Sequence, residues 1–254
     1  MKAIAFELTG KTAFFKKPDV NANAYFTYSH IHKIALYGLL GAILGLGGYA
    51  TQYRDIQLNG KNEKNLYPEF YRLLRDLPVS IVPHGDRGYF AKKIQIFNNS
   101  VGYASQEEGN NLVVREQWIE NPHWTVYVLD NGTEIFSRLA AMLEAGESVY
   151  LPYLGKNDHP ASLSSIRMLA LEWQERTERI DSLFYTEHVT YQKRGGTTDG
   201  SASFHSYKEQ IPVALDTQLN SYEYKEVGFT NRKLASLEED APIYTGEGRF
   251  LYFL

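Results

Sequence analysis

The sequence of 254 residues contains no cysteine. Without cysteine the chain can form no disulfide bond, no thiolate nucleophile, no iron–sulfur cluster and no zinc finger with cysteine ligands. Its first residues, MKAIAFELTGK, also lack the long apolar segment and the small-residue cleavage site of a secretory signal. Both absences predict a protein of the reducing cytoplasm.

An excess of positive charge is also missing. The 26 Lys and Arg residues are outnumbered by 30 Asp and Glu residues, and the formal net charge is −4. A free-standing basic DNA-binding protein is therefore excluded, and any contact with nucleic acid must come from a local patch. Hydrophobic residues at 43% and charged residues at 22% are ordinary for a globular protein, which excludes a disordered chain and a coiled coil.

Catalytic and cofactor-binding motifs are missing as well. Gly10-Lys11-Thr12 follows a predicted strand, but a phosphate-binding loop needs a glycine where Ala5 stands. The sequence has no Gly-x-Ser-x-Gly and no His-Glu-x-x-His. His30 and His32 are two residues apart, which separates them on a helix, so we expect them to cap a helix or contact RNA rather than bind a metal. No catalytic residue, metal or cofactor is predicted.

The longest apolar run, residues 34–50, is rich in glycine. It is at the short limit for a membrane span, and we predict instead a buried helix, N-capped by Ser29, and no contact with a membrane. Four glycines at spacings of three, four and three would share one face of this helix and let a neighbouring backbone approach closely: Gly38, Gly41, Gly45 and Gly48.

Hydrophobic periodicity and turn residues predict an α+β fold. The predicted elements of residues 1–155 are a strand at 2–8, the glycine-rich helix, a short helix at 67–77, strands at 79–82 and 89–97, a hairpin partner at 112–118, a strand at 125–129, a helix at 135–143 closed by Gly146, and a strand at 149–154. This β-α-β-β-α-β order with insertions is the ferredoxin-like (RRM-like) arrangement. Residues 156–254 are predicted to form one helix, marked by Ile166, Leu169, Ala170 and Trp173, followed by a β-rich part.

Basic residues next to aromatic ones are the best candidates for binding. The loop after the first strand holds Lys11, Lys16 and Lys17 around Phe14 and Phe15. Single-stranded RNA is bound by this combination of ammonium groups for phosphates and rings for bases. A solvated loop with two core phenylalanines is the alternative.

Two further groups of basic residues are weaker candidates. Arg87, Lys92, Lys93 and Arg115 belong to the predicted hairpin arm or its base. Arg249 follows two glycines near the C-terminus, where the backbone can approach a phosphate closely. Ordinary surface positions are the alternative for both groups.

Four segments together resemble the CRISPR-associated RAMP superfamily. They are KAIAFELTGKTAFFKKPDVN, SHIHKIALYGLLGAILGLGGY, REQWIENPHWTVYVL and YLPYLGKNDHPASL. Within that superfamily the chain is most similar to the fifth-type Cas subunit of type I effector (Cascade) complexes, closest to the type I-B group. The likeness runs to about residue 165 and continues more faintly at the C-terminus.

The resemblance implies a fold, a role and partners. The fold is a ferredoxin-like domain with a β-hairpin thumb, here near residues 100–117, and a variable β-rich C-terminal part. The role is to cap the 5′ handle of the CRISPR RNA (crRNA) without catalysis. The partners are the crRNA, the Cascade backbone subunit, the large subunit that recognises the PAM and, through the assembled complex, target DNA.

Residues carried over by the resemblance join the basic candidates. The loop 11–17 and the start of the glycine-rich helix around His30, Lys33 and Tyr37 would line the handle site. The complete set of predicted RNA-binding residues is Lys11, Phe14, Lys16, Lys17, His30, Lys33, Tyr37, Arg87, Lys92, Arg115 and Arg249.

Two alternatives stay open. In the type I-C branch the subunit itself cleaves precursor crRNA with a helix tyrosine and a Lys-His pair. Tyr37 could replace that tyrosine, but the chain has only the reversed order His32-Lys33, and cleavage needs a placed acid and base. The second alternative is a protein-interaction module with no role in RNA binding.

Overall fold

The computed structural model describes residues 1–19, 23–98, 106, 113–193, 195–239 and 241–254. The α-helices of these residues are α1 Lys33–Leu44, α2 Tyr49–Asn59, α3 Glu69–Leu74 and α4 Glu134–Ala145. The strands are β1 Lys2–Thr9, β2 Thr12–Ala13, β3 Val79–Pro83, β4 Lys92–Asn98, β5 Val113–Glu120, β6 His123–Leu129, β7 Ser162–Ala170, β8 Glu172–Trp173, β9 Phe184–Tyr185, β10 Val189–Tyr191, β11 Ser206–Leu215, β12 Tyr222–Thr230, β13 Leu234–Leu237, β14 Ile243–Gly246 and β15 Arg249–Tyr252. The chain is thus a mixed α/β protein with several antiparallel sheets.

The main sheet has the strand order β3-β6-β1-β7, with antiparallel neighbours throughout. Ile4, Phe6 and Leu8 of β1 enter the core with residues of α1 and α4. Ala3 and Ala5 point to the opposite face and are also fully buried, against Leu251 and Phe253 near the C-terminus among others. The first strand is therefore confirmed but is covered on both faces, whereas its alternating sequence predicted one buried face.

The helix predicted from Ile166 to Trp173 is wrong. Its residues form β7 and β8, and β7 completes the main sheet beside β1. The apolar residues of this segment belong to both faces of the sheet, because Ile166 packs against the core that contains α1 and Leu169 packs against the opposite core with Ala3 and Ala5. A strand that is covered on both faces loses the two-residue alternation, and its apolar positions can then fall three and four apart as they do in a helix. A β-bulge at Ser165, where φ is 52°, precedes them.

The strand predicted at 149–154 is also wrong. This segment is an irregular loop whose only ladder contact is a bridge from Tyr153 to Pro160. The backbone N–H groups of Val149 and Tyr150 donate instead to the carbonyls of Ile43 and Ala42 at the end of α1, both at 3.0 Å. These two bonds satisfy carbonyl groups that every helix C-terminus leaves free.

The glycine-rich helix ends earlier than predicted. Gly45 takes a left-handed conformation and caps α1, while Gly48 caps the start of α2. His32, not Ser29, is the N-cap of α1 and accepts a hydrogen bond from the Ala35 N–H. In the described part of the chain no single helix is long and apolar enough to cross a membrane; α1 and α2 reach that length only together, with a bend of 78° between them.

Strands β4 and β5 form an antiparallel hairpin next to β2. The thumb expected near residues 100–117 lies mostly outside the described residues, which resume at 113. One face of the hairpin leaves Ile94, Ile96 and Val113 about half exposed.

Candidate functional site

A groove of about 940 Å³ runs along α1 on the helical side of the main sheet. Its floor is a row of α1 residues, and its walls come from the loops on either side. The lining includes Phe14, Phe15, Lys16, Tyr25, His32, Ile34, Ala35, Gly38, Leu39, Ala42, Leu46, Tyr49, Thr51, Glu116, Tyr150, Tyr153, Gly155, Lys156 and Tyr222. The groove is thus built by the loop 11–17 and helix α1, which the sequence analysis selected as candidates, and by the loop around residues 149–156, which it did not select.

Small residues of α1 keep the groove open. Ala35, Gly38 and Ala42 share one helix face through their spacing of three and four. A Cβ atom placed on Gly38 would meet no atom within 4 Å. A Cβ atom on Gly41 would lie 2.6 Å from the Cβ of Phe70, so this glycine does allow a close approach, to α3.

Exposed aromatic rings surround the groove. Tyr25, Tyr49, Tyr150 and Tyr153 are between 38% and 60% exposed. Val149 and Leu151 of the same loop are exposed as well, so one short segment presents several large apolar side chains to solvent. Such rings offer stacking surfaces for bases, and contiguous apolar exposure is typical of a binding surface.

Two lysines line the groove, and among the described residues Lys156 is paired with carboxylates whereas Lys16 is not. Lys16 is exposed and places its ammonium group 3.9 Å from the ring centre of Tyr25. Lys156 lies 3.1 Å from both carboxylate oxygens of the buried Glu116. Burial lowers the pKa of Lys156, but the bonds to Glu116 and Asp158 outweigh burial and raise it. Within the described residues no carboxylate forms a salt bridge with Lys16, so its charge is available to a phosphate.

Among the predicted RNA-binding residues, only Phe14 and Lys16 line the groove. Phe14 is 2% exposed and belongs to the core, so in this conformation its ring has almost no exposed surface on which a base could stack. The two phenylalanines of the loop are therefore core residues, as the alternative interpretation expects, while Lys16 faces the groove. RNA binding by this loop stays a prediction.

Lys17 and Lys92 lie close to one partly buried carboxylate, that of Glu209. The ammonium group of Lys17 is 2.6 Å from Glu209 of β11, and Lys92 donates to the hydroxyl of Ser29. Burial raises the pKa of Glu209, but hydrogen bonds from Lys17, the Ser29 N–H and Tyr207 together lower it. Lys17 therefore joins the first loop to the C-terminal part, and Glu209 neutralises the charge that was expected to meet RNA.

His30 and His32 are buried, so in this structure His30 has no exposed surface for its predicted contact with RNA. The indole N–H of Trp124 donates to Nδ1 of His30 at 3.2 Å. The His30 ring also packs edge-on against Phe90 and Tyr207. Burial lowers the pKa of both histidines to about 3. Both are therefore neutral core residues at pH 7.

Tyr37 and Lys33 lie beside the groove rather than in it. Tyr37 is fully buried, and its hydroxyl donates to the Leu77 carbonyl at 2.7 Å and to the Arg75 carbonyl at 3.2 Å. Burial raises the pKa of the Tyr37 hydroxyl well above its usual range. Burial also lowers the pKa of Lys33 to about 8. In this conformation Tyr37 has no exposed surface for its predicted contact with RNA, and its hydroxyl is bonded inside the protein.

We expect Tyr37→Phe to lower the free energy of unfolding by about 1–2 kcal/mol, because the buried carbonyl group of Leu77 loses its donor. RNA affinity should stay unchanged, since Tyr37 presents no surface. Urea unfolding and an RNA-binding titration of the variant measure the two effects. Tyr53→Phe is the matched control because Tyr53 is 67% exposed, and its stability should equal that of the wild type. A loss of RNA binding in Tyr37→Phe with unchanged stability would contradict this assignment.

The remaining predicted residues are spread over other surfaces. Lys11 is exposed after β1, Arg87 is exposed in the turn before β4, and Arg115 is exposed on β5. Arg249 lies on the face of the sheet opposite α1, with Nη1 3.4 Å from the Thr125 hydroxyl. These four residues do not line the groove.

The sequence analysis missed Tyr150, Tyr153 and Lys156. Their segment was read as a strand because large apolar residues dominate it, and a strand would have buried them. The available signal was Pro152 followed by Gly155, two residues that favour loops. Gly155 has a φ of 90°, and a Cβ there would lie 1.9 Å from the carbonyl oxygen of Phe14, so the loop passes this close only with glycine.

Comparisons with known proteins give a likeness of fold. The chain matches no protein-family profile and no curated protein sequence. A chain of a solved "CRISPR RNA-guided surveillance complex" is similar in structure, with a TM-score of 0.52, 14% identity and 92% of each chain covered. A CRISPR protein from Archaeoglobus fulgidus is also similar, with a TM-score of 0.51, 9% identity and 99% of each chain covered. At these identities the comparison establishes a shared architecture.

Proposed function

We propose that this protein is an RNA-binding, non-enzymatic subunit of a cytoplasmic type I CRISPR effector complex, in which it caps the 5′ handle of the crRNA. The groove along α1 is the observation that carries the proposal, because it combines open space, exposed tyrosines and the cation of Lys16. A single RNA strand needs this combination of rings for bases and ammonium groups for phosphates. The similar fold of the surveillance-complex chain and the sequence resemblance both support the same role.

A ferredoxin-like (RRM-like) arrangement of the main domain is part of the proposal. The sheet order β3-β6-β1-β7 supports it, because these are the second, third, first and fourth strands of a β-α-β-β-α-β unit. Helix α1 follows β1, and α4 connects β6 to β7, as that unit requires. The paired strands β4 and β5, inserted between β3 and β6, then belong to the thumb expected near residues 100–117.

The hairpin supports the proposed protein partners. Ile94, Ile96 and Val113 expose about half of their side chains on one face, next to Arg115. An apolar strip bordered by a cation is suited to a protein surface that also carries RNA. We assign this face to the backbone subunit of the complex, while the large subunit and target DNA would meet other surfaces.

Co-purification tests the proposal directly. The tagged chain is isolated from cells that hold its neighbouring genes, and the 5′ ends of bound RNA are mapped by sequencing. We expect a uniform population of short RNAs that start with one repeat-derived handle. A chain that purifies without such RNA, alone or in another complex, would contradict the proposal and favour an interaction module.

The salt dependence of RNA affinity distinguishes the contribution of Lys16 from that of the tyrosine rings. When the logarithm of the association constant for single-stranded RNA is plotted against the logarithm of the salt concentration, each neutralised phosphate contributes about 0.7 to the downward slope. Because Lys16→Ala removes one phosphate contact, we expect it to reduce this slope by about 0.7. Fluorescence anisotropy with handle RNA over a series of salt concentrations measures the slope. Lys193→Ala is the control, because Lys193 is exposed outside the groove. An unchanged slope in Lys16→Ala would remove Lys16 from the RNA interface.

Cleavage of precursor crRNA is the competing role. Metal-independent cleavage needs an acid and a base near the attacked 2′-hydroxyl, whereas the Tyr37 hydroxyl is bound to two carbonyl groups in the core. The purified chain is therefore expected to leave a repeat RNA intact, and cleavage at the base of the repeat hairpin would favour the endoribonuclease.

A further inference from the structure

We propose that Glu7, His84 and His123 form a binding site for one divalent transition-metal ion of the Zn²⁺ class. The site lies on the face of the main sheet opposite α1, away from the groove. The sequence analysis expected no metal, because the three residues are far apart in the chain and form no motif. The proposal does not depend on the RNA-binding role.

The ligand atoms already face one another. Nε2 of His123 lies 2.6 Å from Oε2 of Glu7, and Nε2 of His84 lies 3.7 Å from the same oxygen. The three ligand atoms lie within 4.8 Å of one another. Zinc binds imidazole nitrogen and carboxylate oxygen at about 2.0–2.2 Å, which sets neighbouring ligands about 3–3.5 Å apart. Small side-chain rotations therefore suffice to place all three atoms around one ion.

The sheet holds the three residues in place. Glu7 is opposite Thr125 and Thr9 is opposite His123, so Glu7 and His123 are diagonal neighbours on one face. His84 follows β3, and its backbone N–H donates to the His123 carbonyl at 3.0 Å. Three adjacent strands thus supply one ligand each, and their backbone bonds restrict how far the ligands can separate.

A hydroxyl group orients the carboxylate. Thr125 donates to Oε1 of Glu7 at 2.9 Å, which leaves Oε2 directed at the histidines. The same hydroxyl lies 2.6 Å from Nε2 of His84. Because its single proton goes to Glu7, the hydroxyl accepts the proton of that nitrogen, and a bound metal ion would replace this hydrogen bond. A partner that holds the second oxygen of a ligating carboxylate fixes its orientation and raises affinity in known sites.

The ligand atoms and the charges around them indicate which kind of metal ion the site would bind. Two imidazoles and one carboxylate suit Zn²⁺, Co²⁺ or Fe²⁺, whereas Mg²⁺ and Ca²⁺ prefer oxygen ligands. The side chains of Glu7, His84 and His123 are 22–44% exposed, so an ion can enter from solvent. The guanidinium of Arg249, near Thr125, opposes a bare cation and favours an anion as the fourth ligand. Arg167 is already paired with Glu247 at 2.6 Å.

Zinc titration of the full chain tests the site. The protein is stripped with a chelator, desalted and titrated with Zn²⁺ alone by isothermal calorimetry. We expect saturation at one ion per chain. His84→Ala and His123→Ala should each weaken binding at least about 100-fold, and Thr125→Val by about 10-fold as expected for an orienting partner. His205→Ala, a histidine outside the cluster, should bind as the wild type does.

Two results would overturn the site. One is a wild-type chain that takes up no Zn²⁺ in a saturable way. The other is a folded His84→Ala/His123→Ala double variant that binds Zn²⁺ as tightly as the wild type. Because Glu7 and Thr125 also connect strands and their variants could unfold, the visible spectrum of wild-type protein with Co²⁺ gives a check without mutation. Strong ligand-field bands support a site with nitrogen ligands, and a spectrum equal to that of aqueous Co²⁺ contradicts it.

Discussion

Gly38→Trp is expected to weaken binding of 5′-handle RNA on the order of 100-fold, since each base stacked on an aromatic side chain contributes about 1–3 kcal/mol and the indole would take the place of one or two bases. The reason is the open space above Gly38, where an added Cβ atom meets no atom within 4 Å. The indole can fill the groove without displacing the helix. Anisotropy with labelled handle RNA measures the loss.

Gly38→Ala is the matched control. A methyl group leaves most of the groove free, so RNA affinity should stay within about twofold, while the helix gains about 0.5–1 kcal/mol from replacing glycine. Urea unfolding of both variants shows whether the fold is retained. If folded Gly38→Trp bound RNA as tightly as the wild type, the groove along α1 would not be the RNA site, and the exposed face of the hairpin would become the next candidate.

Lowering the pH from 7 to 5 is expected to reduce the free energy of unfolding by about 4 kcal/mol through His30 and His32 alone. Both side chains are buried, and burial lowers their pKa from 6.5 to about 3. In the unfolded chain each takes up a proton near pH 6.5, whereas the folded chain resists protonation until about pH 3. Their contribution is therefore complete above pH 6.5 and is lost progressively as the pH falls.

Other groups modify the size of this effect but not its sign. Burial lowers the pKa of His84 and His159 in the same direction. The carboxylate of Glu209 opposes the shift at both His30 and His32, but burial outweighs it. Most carboxyl groups titrate near pH 4 in the unfolded chain, so the interval from pH 7 to 5 isolates the histidines.

His32→Asn is the variant that tests this account. Asparagine also caps helix N-termini but does not titrate, so the loss between pH 7 and pH 5 should shrink by about 2 kcal/mol. The comparison uses the change with pH in each protein, because His32→Asn also loses ring contacts with Phe15, Tyr28 and Tyr222 at every pH. Equal pH dependence in the two proteins would show that His32 is not the buried neutral group described here.

The sequence by itself determined the elements whose signals are local. Strand β1, helix α4 with Gly146 as its cap, the short helix α3 and the strands β3 and β6 all follow from apolar periodicity and from residues that end helices. It also determined that Lys16 belongs to a loop of cations and rings. These features depend on neighbours within a few positions, and physical preferences at that range can be recognised in one sequence.

Only the tertiary structure decided which of the candidate residues lie close together in space. It buried His30 and Tyr37 and paired Lys17 with Glu209, more than 190 positions away along the chain. The fourth strand of the main sheet was not recognised because its apolar residues pack on both faces, and the sheet itself brought Glu7, His84 and His123 together. Burial, ion pairing and ligand geometry depend on residues far apart in the sequence. Periodicity shows only that a residue faces a core or solvent, and the partner it finds there is set by the packing of the whole chain.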